Sequence, residues 1–346
     1  MIQIDTQYLK DQLVNLLEIP SPTGFTDQAI EFIKGSLVNL GLNPISTLKG
    51  GLAAELKGES ATSPRALTAH VDTLGAMVKE IKPNGRLQLT KVGAFAWNTV
   101  EGESCQIYTR SGKIFQGSLL LVQASGHIYG EKVVKMERED ANMEIRIDER
   151  TSSAEETLRL GIEPGNFIAF NPRTVLIENG FIRSRHLDDK AGVACVLAAI
   201  KAMIDTDSLP TQRTALHFSN YEEVGHGAAS GFPSDLTELV AVDMAVVGEG
   251  QNSDEFHTTI CAKDSRGPYH HTLTRHLQDI ADAAGIPYKV DIYPFYGSDG
   301  EAYWRAGGDV RVALIGPGVD ASHNYERTHI DALIATSQLI VAYLKD

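Results

Sequence analysis

His186-Leu187-Asp188-Asp189-Lys190-Ala191-Gly192 sets two adjacent carboxylates between two apolar runs. The run before it, Thr174–Ser184, reads as a β-strand. The run after it, Lys190–Ile204, reads as an apolar helix. A carboxylate at the carboxyl edge of a strand stands where open α/β sheets place their sites. One carboxylate has two oxygens and can hold two cations, so Asp188 is read as a bridge between two divalent metals. An acidic helix start that suits the macrodipole accounts for one aspartate better than for a pair.

The same strand-then-helix texture extends in both directions. Thr6–Ile19 has Leu9, Leu13, Leu16 and Leu17 on one helical face. Pro20-Ser21-Pro22-Thr23-Gly24 breaks the chain. A helix from Thr26 carries Ile30, Ile33, Leu37 and Leu40, and Gly41 ends it. Pro44–Leu48, Leu52–Leu56 and Pro64–His70 read as strands. After the motif come strands at Thr214–Ser219, Leu239–Val247, Tyr288–Tyr293 and Arg311–Ile315, and helices at Thr272–Ala284 and Ile330–Leu344. Between Ala76 and Pro172 short strands alternate with turns such as Pro83-Asn84-Gly85, with no long helix. The expectation is a mixed-sheet α/β catalytic domain with helices on both faces, built from residues 1–75 and 173–346. A small β-barrel-like domain, residues 76–172, is inserted in it.

At 346 residues the chain exceeds what one core usually supports. A net charge of −14 disfavours nucleic acid and anionic membranes as partners. No apolar run reaches the roughly 18 residues of a membrane span. Met1-Ile2-Gln3-Ile4-Asp5 lacks the basic-then-apolar pattern of a signal peptide. Cys105, Cys195 and Cys261 are odd in number and far apart, as reduced thiols are. A cytoplasmic protein is expected.

Four further stretches carry chemistry. In His70-Val71-Asp72, the histidine can bind metal through one ring nitrogen while the aspartate accepts the other N–H. A hydrogen-bonded histidine at a strand end explains it as well. Glu222-Glu223-Val224-Gly225-His226-Gly227 follows a strand. Two adjacent glutamates there repel unless something positive is near. One can bind metal while the other, beside a metal-activated water, serves as general base. Asp243 interrupts an apolar run, where a charge is costly unless paired or coordinated. Asp320-Ala321-Ser322-His323-Asn324-Tyr325-Glu326 follows the glycine-rich Gly316-Pro317-Gly318, read as a sharp turn. Imidazoles and carboxylates without thiolates suit zinc, cobalt or manganese. Their number suits two metals about 3.5–4 Å apart.

These motifs, in this order, resemble metallopeptidase family 42, which includes the glutamyl aminopeptidases and the tetrahedral (TET) aminopeptidases. The resemblance spans nearly the whole chain. It implies that His70 and Asp243 hold one metal, Glu223 and His323 the other, and that Asp188 bridges them. It makes Glu222 the general base and later acid, and Asp72 the partner of His70. It implies two divalent ions per subunit, zinc foremost and cobalt or manganese as alternatives. The substrate would be a short peptide, cleaved at its N-terminal residue. The inserted domain would serve dimerisation or act as a lid in a homo-oligomer, a dimer or a dodecamer. Gly297-Ser298-Asp299-Gly300 would line the substrate site. Thr73, Lys190 and Asn324-Tyr325 depart from residues common in the family. The stretches around His186–Lys190, Gly250–Ser253 and Tyr325–His329 are similar to a subgroup found with synthesis of the osmolyte N-acetylglutaminylglutamine amide. Two other readings stay open: a metal-dependent deacylase or amidase acting on an acylated or capped dipeptide, and a catalytically silent oligomeric scaffold. No Gly-x-Ser-x-Gly elbow supports a serine hydrolase.

Overall fold

Four strands, Gln212–Ser219, Ser60–His70, Glu238–Val242 and Arg311–Asp320, lie side by side and parallel at the heart of a twelve-stranded mixed sheet. The computed structural model describes residues 2–346. The chain divides into two compact units, Met1–Asp72 with Arg173–Asp346, and Thr73–Pro172.

In the first unit the parallel strands alternate between two buried faces, as a two-residue repeat requires. Leu67, Ala69, Val240, Val242, Ala313 and Ile315 join one core. Ala66, Leu239, Ala241, Val312 and Leu314 join another. The helices Thr6–Glu18, Asp27–Asn39, Leu187–Asp205, His271–Ala284 and Ile330–Lys345 contribute to the first core. The short helix Asp299–Arg305 packs its Tyr303 and Trp304 against the second. Leu187–Asp205 is buried on all sides except near Lys201, which explains why its apolar pattern has no polar stripe. Among the described residues no helix is long and apolar enough to cross a membrane.

Two strand expectations need correction. Thr174–Ser184 is a hairpin: Val175–Leu176 pairs antiparallel with Phe181–Ser184. The reversal falls at Glu178-Asn179-Gly180, where Gly180 takes φ 98°. Leu239–Val247 is two strands, Glu238–Val242 and Ala245–Val247, parted at Asp243-Met244. Both pieces pair with Arg311–Asp320, which itself runs straight through Gly316-Pro317-Gly318. The glycines there make no sharp turn. They let backbones meet: a Cβ on Gly316 would lie 1.7 Å from the Asp243 carbonyl oxygen. The strands Thr258–Lys263 and Glu326–His329 and the helix Asp299–Arg305 lie outside the expected elements.

The second unit is a closed six-stranded barrel. Its strands are Gly75–Ile81, Leu87–Val92, Met143–Ile147, Ile114–Leu121, Ser104–Tyr108 and Phe167–Phe170. Closure removes the free edges that short antiparallel sheets otherwise expose. Val78, Leu89, Ile107, Leu119, Ile145 and Ile168 fill the interior. Its helices are one or two turns long: Gly126–Tyr129, Glu131–Lys135 and Ala154–Arg159.

Candidate metal centre

The register of the parallel strands brings three motifs to one edge. Ser219 pairs with His70, so the chain leaving Ser219 enters Glu222-Glu223 beside His70. Thr68 pairs with Ala241, so two residues further on Asp243 comes level with His70. Tyr221, at φ 76°, turns the chain out of its strand into the single 3₁₀ turn Glu222–Val224. Asp188 and Asp189 keep non-helical backbone angles ahead of their helix, and the peptide between them is cis. His323 also lies at positive φ, 62°, in the turn between the strands Arg311–Asp320 and Glu326–His329.

These elements place all five expected metal-ligating residues around one carboxylate. His70 Nε2 is 3.1 Å from Asp188 Oδ1 and 3.9 Å from Asp243 Oδ1. His323 Nε2 is 3.3 Å from Asp188 Oδ2 and 3.5 Å from Glu223 Oε2. Two ligand sets result, His70–Asp188–Asp243 and Asp188–Glu223–His323, each with donor atoms within 4.8 Å of one another. Asp188 belongs to both. Glu222 belongs to neither, yet its Oε2 is 3.7 Å from His70 Nε2.

The donor set fits cations. Glu223 Oε1 and Asp243 Oδ1 are buried and have no hydrogen-bond partner. Buried polar atoms left unpaired are costly, and a cation beside each would satisfy them. The electrostatics agree. Burial pushes Glu223 and Asp243 up to about 8 and Glu222 well above the usual carboxylate range, with neighbouring carboxylates adding to it. Burial opposes charge on His70 too, yet Asp188, Glu222 and Asp243 hold it well above the usual imidazole range. Asp188 also resists burial: His323 and His70 keep it below the usual range.

A pH dependence follows. Carboxyls raised from 4.5 and 3.8 to about 8 bind protons more tightly in the folded chain than in the unfolded one. Their contribution is full below about pH 4 and is lost as pH rises towards 8. Metal-free protein is therefore expected to melt at lower temperature at pH 8 than at pH 6. Zinc added at pH 8 should restore it by replacing the protons. Melting curves with and without chelator at both pH values check this. An apo protein with the higher melting temperature at pH 8 would contradict it.

Asp72 meets His70 differently from the expectation. The acceptor near His70 Nδ1 is the Asp72 main-chain carbonyl, at 2.8 Å, while its carboxylate oxygen stands 3.8 Å away. The carboxylate instead accepts from the main-chain N–H groups of Glu222, at 3.1 Å, and Glu223, at 3.3 Å. Gly297–Gly300 leads into the helix Asp299–Arg305. Ser298 caps a helix, and Asp299 is buried, accepting from Thr68, Ser219 and the Ala228 N–H. Sequence reasoning gives no role to Glu326. Its two oxygens accept from the main-chain N–H groups of Asp188, at 3.2 Å, and His323, at 3.0 Å. Its place three residues after His323 is the one signal the sequence offers.

A mixed sheet with an inserted barrel thus carries two groups of ligand-type residues that share one aspartate. The profile of the family described as M42 glutamyl aminopeptidase matches residues 50–339, and the chain belongs to that family. It is 47% identical over 330 residues, 95% of each chain, to "Putative aminopeptidase YhfE" of Bacillus subtilis (strain 168). It is 27% identical over 204 residues to "Glutamyl aminopeptidase" of Lactococcus lactis subsp. cremoris (strain MG1363), covering 58% of this chain and 56% of that one. Among solved structures, a TET aminopeptidase from a marine-sediment Thaumarchaeota archaeon superposes with TM-score 0.88 at 18% identity, over 97% and 96% of the two chains. The TET1 peptidase of Pyrococcus horikoshii, described as assembling into a tetrahedron or a large octahedral shell, superposes with TM-score 0.85 at 24% identity, over 98% and 99%.

Proposed function

We propose that the chain is a metallo-aminopeptidase that removes the N-terminal residue of short peptides with two divalent cations, zinc foremost. The observation that carries this is Asp188. Each of its oxygens faces a different imidazole, and a second carboxylate, Asp243 or Glu223, completes each set. The relatives named as aminopeptidases support the same reaction. His70 and Asp243 would hold one cation, Glu223 and His323 the other, and Asp188 both. When bound, the cations acidify the attacking water and polarise the scissile carbonyl.

The chain's own groups do the rest. Glu222 lies outside both ligand sets and beside His70, so its carboxylate is free to take the water's proton and return it to the leaving amine. Asp72 orients this base by holding the main-chain N–H of Glu222. In this reading residues 1–72 and 173–346 are the catalytic domain and the barrel serves dimerisation or as a lid in a homo-oligomer. Ile128 and Val134, 74% and 80% exposed on the barrel unit, support an interface there. The three buried free cysteines support a cytoplasmic setting.

Aminoacyl-anilides tested against N-acyl amino acids, with and without chelator, decide the reaction. Chelator-sensitive cleavage confined to the free-amine substrates is expected. Cleavage confined to the N-acyl series would replace this reading with the deacylase. No cleavage and no metal uptake would replace it with the silent scaffold.

A further inference from the structure

The break Pro20-Ser21-Pro22-Thr23-Gly24 has no part in the reaction as described, yet it is stitched to the site from both ends. Behind it, the fully buried Lys190 donates to the Leu16 and Ile19 carbonyls, at 2.8 and 2.6 Å, and so holds the end of the first helix. In front, Ser21 Oγ donates to the Val71 carbonyl at 2.8 Å, and the Gly24 N–H donates to Asn220 Oδ1 at 3.1 Å. Between them Thr23 Oγ1 donates to Asp72 Oδ2 at 2.6 Å. Two prolines restrict the backbone in the middle of this span. The segment touches the ends of two neighbouring strands, just where they deliver His70 and Glu222-Glu223.

We propose that Thr23 is a positioning residue for the glutamate pair, acting through Asp72. The proposal rests on the two-metal reading of the site. Asp72 Oδ2 accepts both the Thr23 hydroxyl and the Glu223 N–H, and Asp72 Oδ1 accepts the Glu222 N–H. Thr23 and Asp72 are 5% and 0% exposed, so water does not readily replace a lost donor. Without the hydroxyl, the carboxylate can rotate to seek another partner, and the turn bearing Glu222 and Glu223 loses its register. His70 is held differently, through the Asp72 main-chain carbonyl, so its metal is spared. The strut therefore acts on one metal site and on the base, and leaves the other metal site alone.

The test compares Thr23→Val, which keeps the shape and removes the hydroxyl, with Thr23→Ser, which keeps the hydroxyl. Metal-free protein is titrated with cobalt(II) and followed by visible absorption. Asp243→Ala and Glu223→Ala assign the two affinities. In Thr23→Val the affinity assigned to Glu223 and His323 should fall about ten- to a hundredfold, with that of His70 and Asp243 unchanged. Turnover at saturating metal should fall by a similar factor with KM unchanged. Thr23→Ser should restore both. Unchanged affinities and turnover in Thr23→Val would overturn the proposal. So would equal weakening of both sites, or a failure of Thr23→Ser to rescue, because general loosening would then explain the loss. Wild-type protein that binds two cobalt ions yet cleaves no free-amine substrate would overturn the aminopeptidase reading and leave this proposal standing.

Discussion

Glu222→Gln is expected to keep both metals and to lose about 10²- to 10⁴-fold in kcat, the usual range for a general acid–base group. The substitution changes shape little and removes the ability to accept a proton. Glu222 lies in neither candidate ligand set, so neither set loses a donor. Its backbone stays in place, because Asp72 accepts from its main-chain N–H and not from its side chain. Glu222 Oε2 stands 3.7 Å from His70 Nε2, so its carboxylate would lie beside a cation held by that imidazole. Metal content by elemental analysis and kcat on an aminoacyl-anilide are measured on the same sample. Turnover near that of the wild type would remove Glu222 from the mechanism. Loss of one metal would make it a ligand.

Asp188→Ala should strip both cations, an effect unlike that of any other single ligand. Its two oxygens face His70 and His323 separately, at 3.1 and 3.3 Å, and each ligand set has only two other members. Groups that merely orient ligands already cost ten- to a hundredfold in affinity when removed, roughly speaking. A shared ligand should exceed a hundredfold at both sites, again roughly. Asp243→Ala and Glu223→Ala should each weaken one site and spare the other. Two cations retained stoichiometrically by Asp188→Ala would end the bridging assignment. One cation retained would reduce Asp188 to a terminal ligand.

Both experiments use residues whose importance is legible in the sequence itself. Asp243 stands out because a charge inside an apolar run is costly unless something compensates it. Asp188-Asp189 and Glu222-Glu223 stand out because like charges side by side need a counter-charge. The order of the motifs then points to the family. Asp72 is legible as a residue but not as a contact: its carboxylate grips the turn of Glu222 and Glu223, and its carbonyl takes the imidazole. Asp299 is likewise legible as a residue and not as a contact: Gly227 leaves room for its carboxylate, since a Cβ there would come within 2.1 Å of Asp299 Oδ1.

From residue order alone come the alternation of strands and helices, the inserted barrel and the chemical types of the ligands. These are legible because repeats of 2 and 3.6 residues and the cost of burying charge act over a few neighbouring positions. Packing alone settles the split of Leu239–Val247 at Asp243, the hairpin at Gly180, and the contacts made by Glu326, Asp299 and Thr23. Glu326 reaches the N–H of Asp188, 138 residues away in the chain, and Thr23 reaches Asp72 across 49. Bonds over such separations depend on strand register and helix docking, which no local pattern encodes.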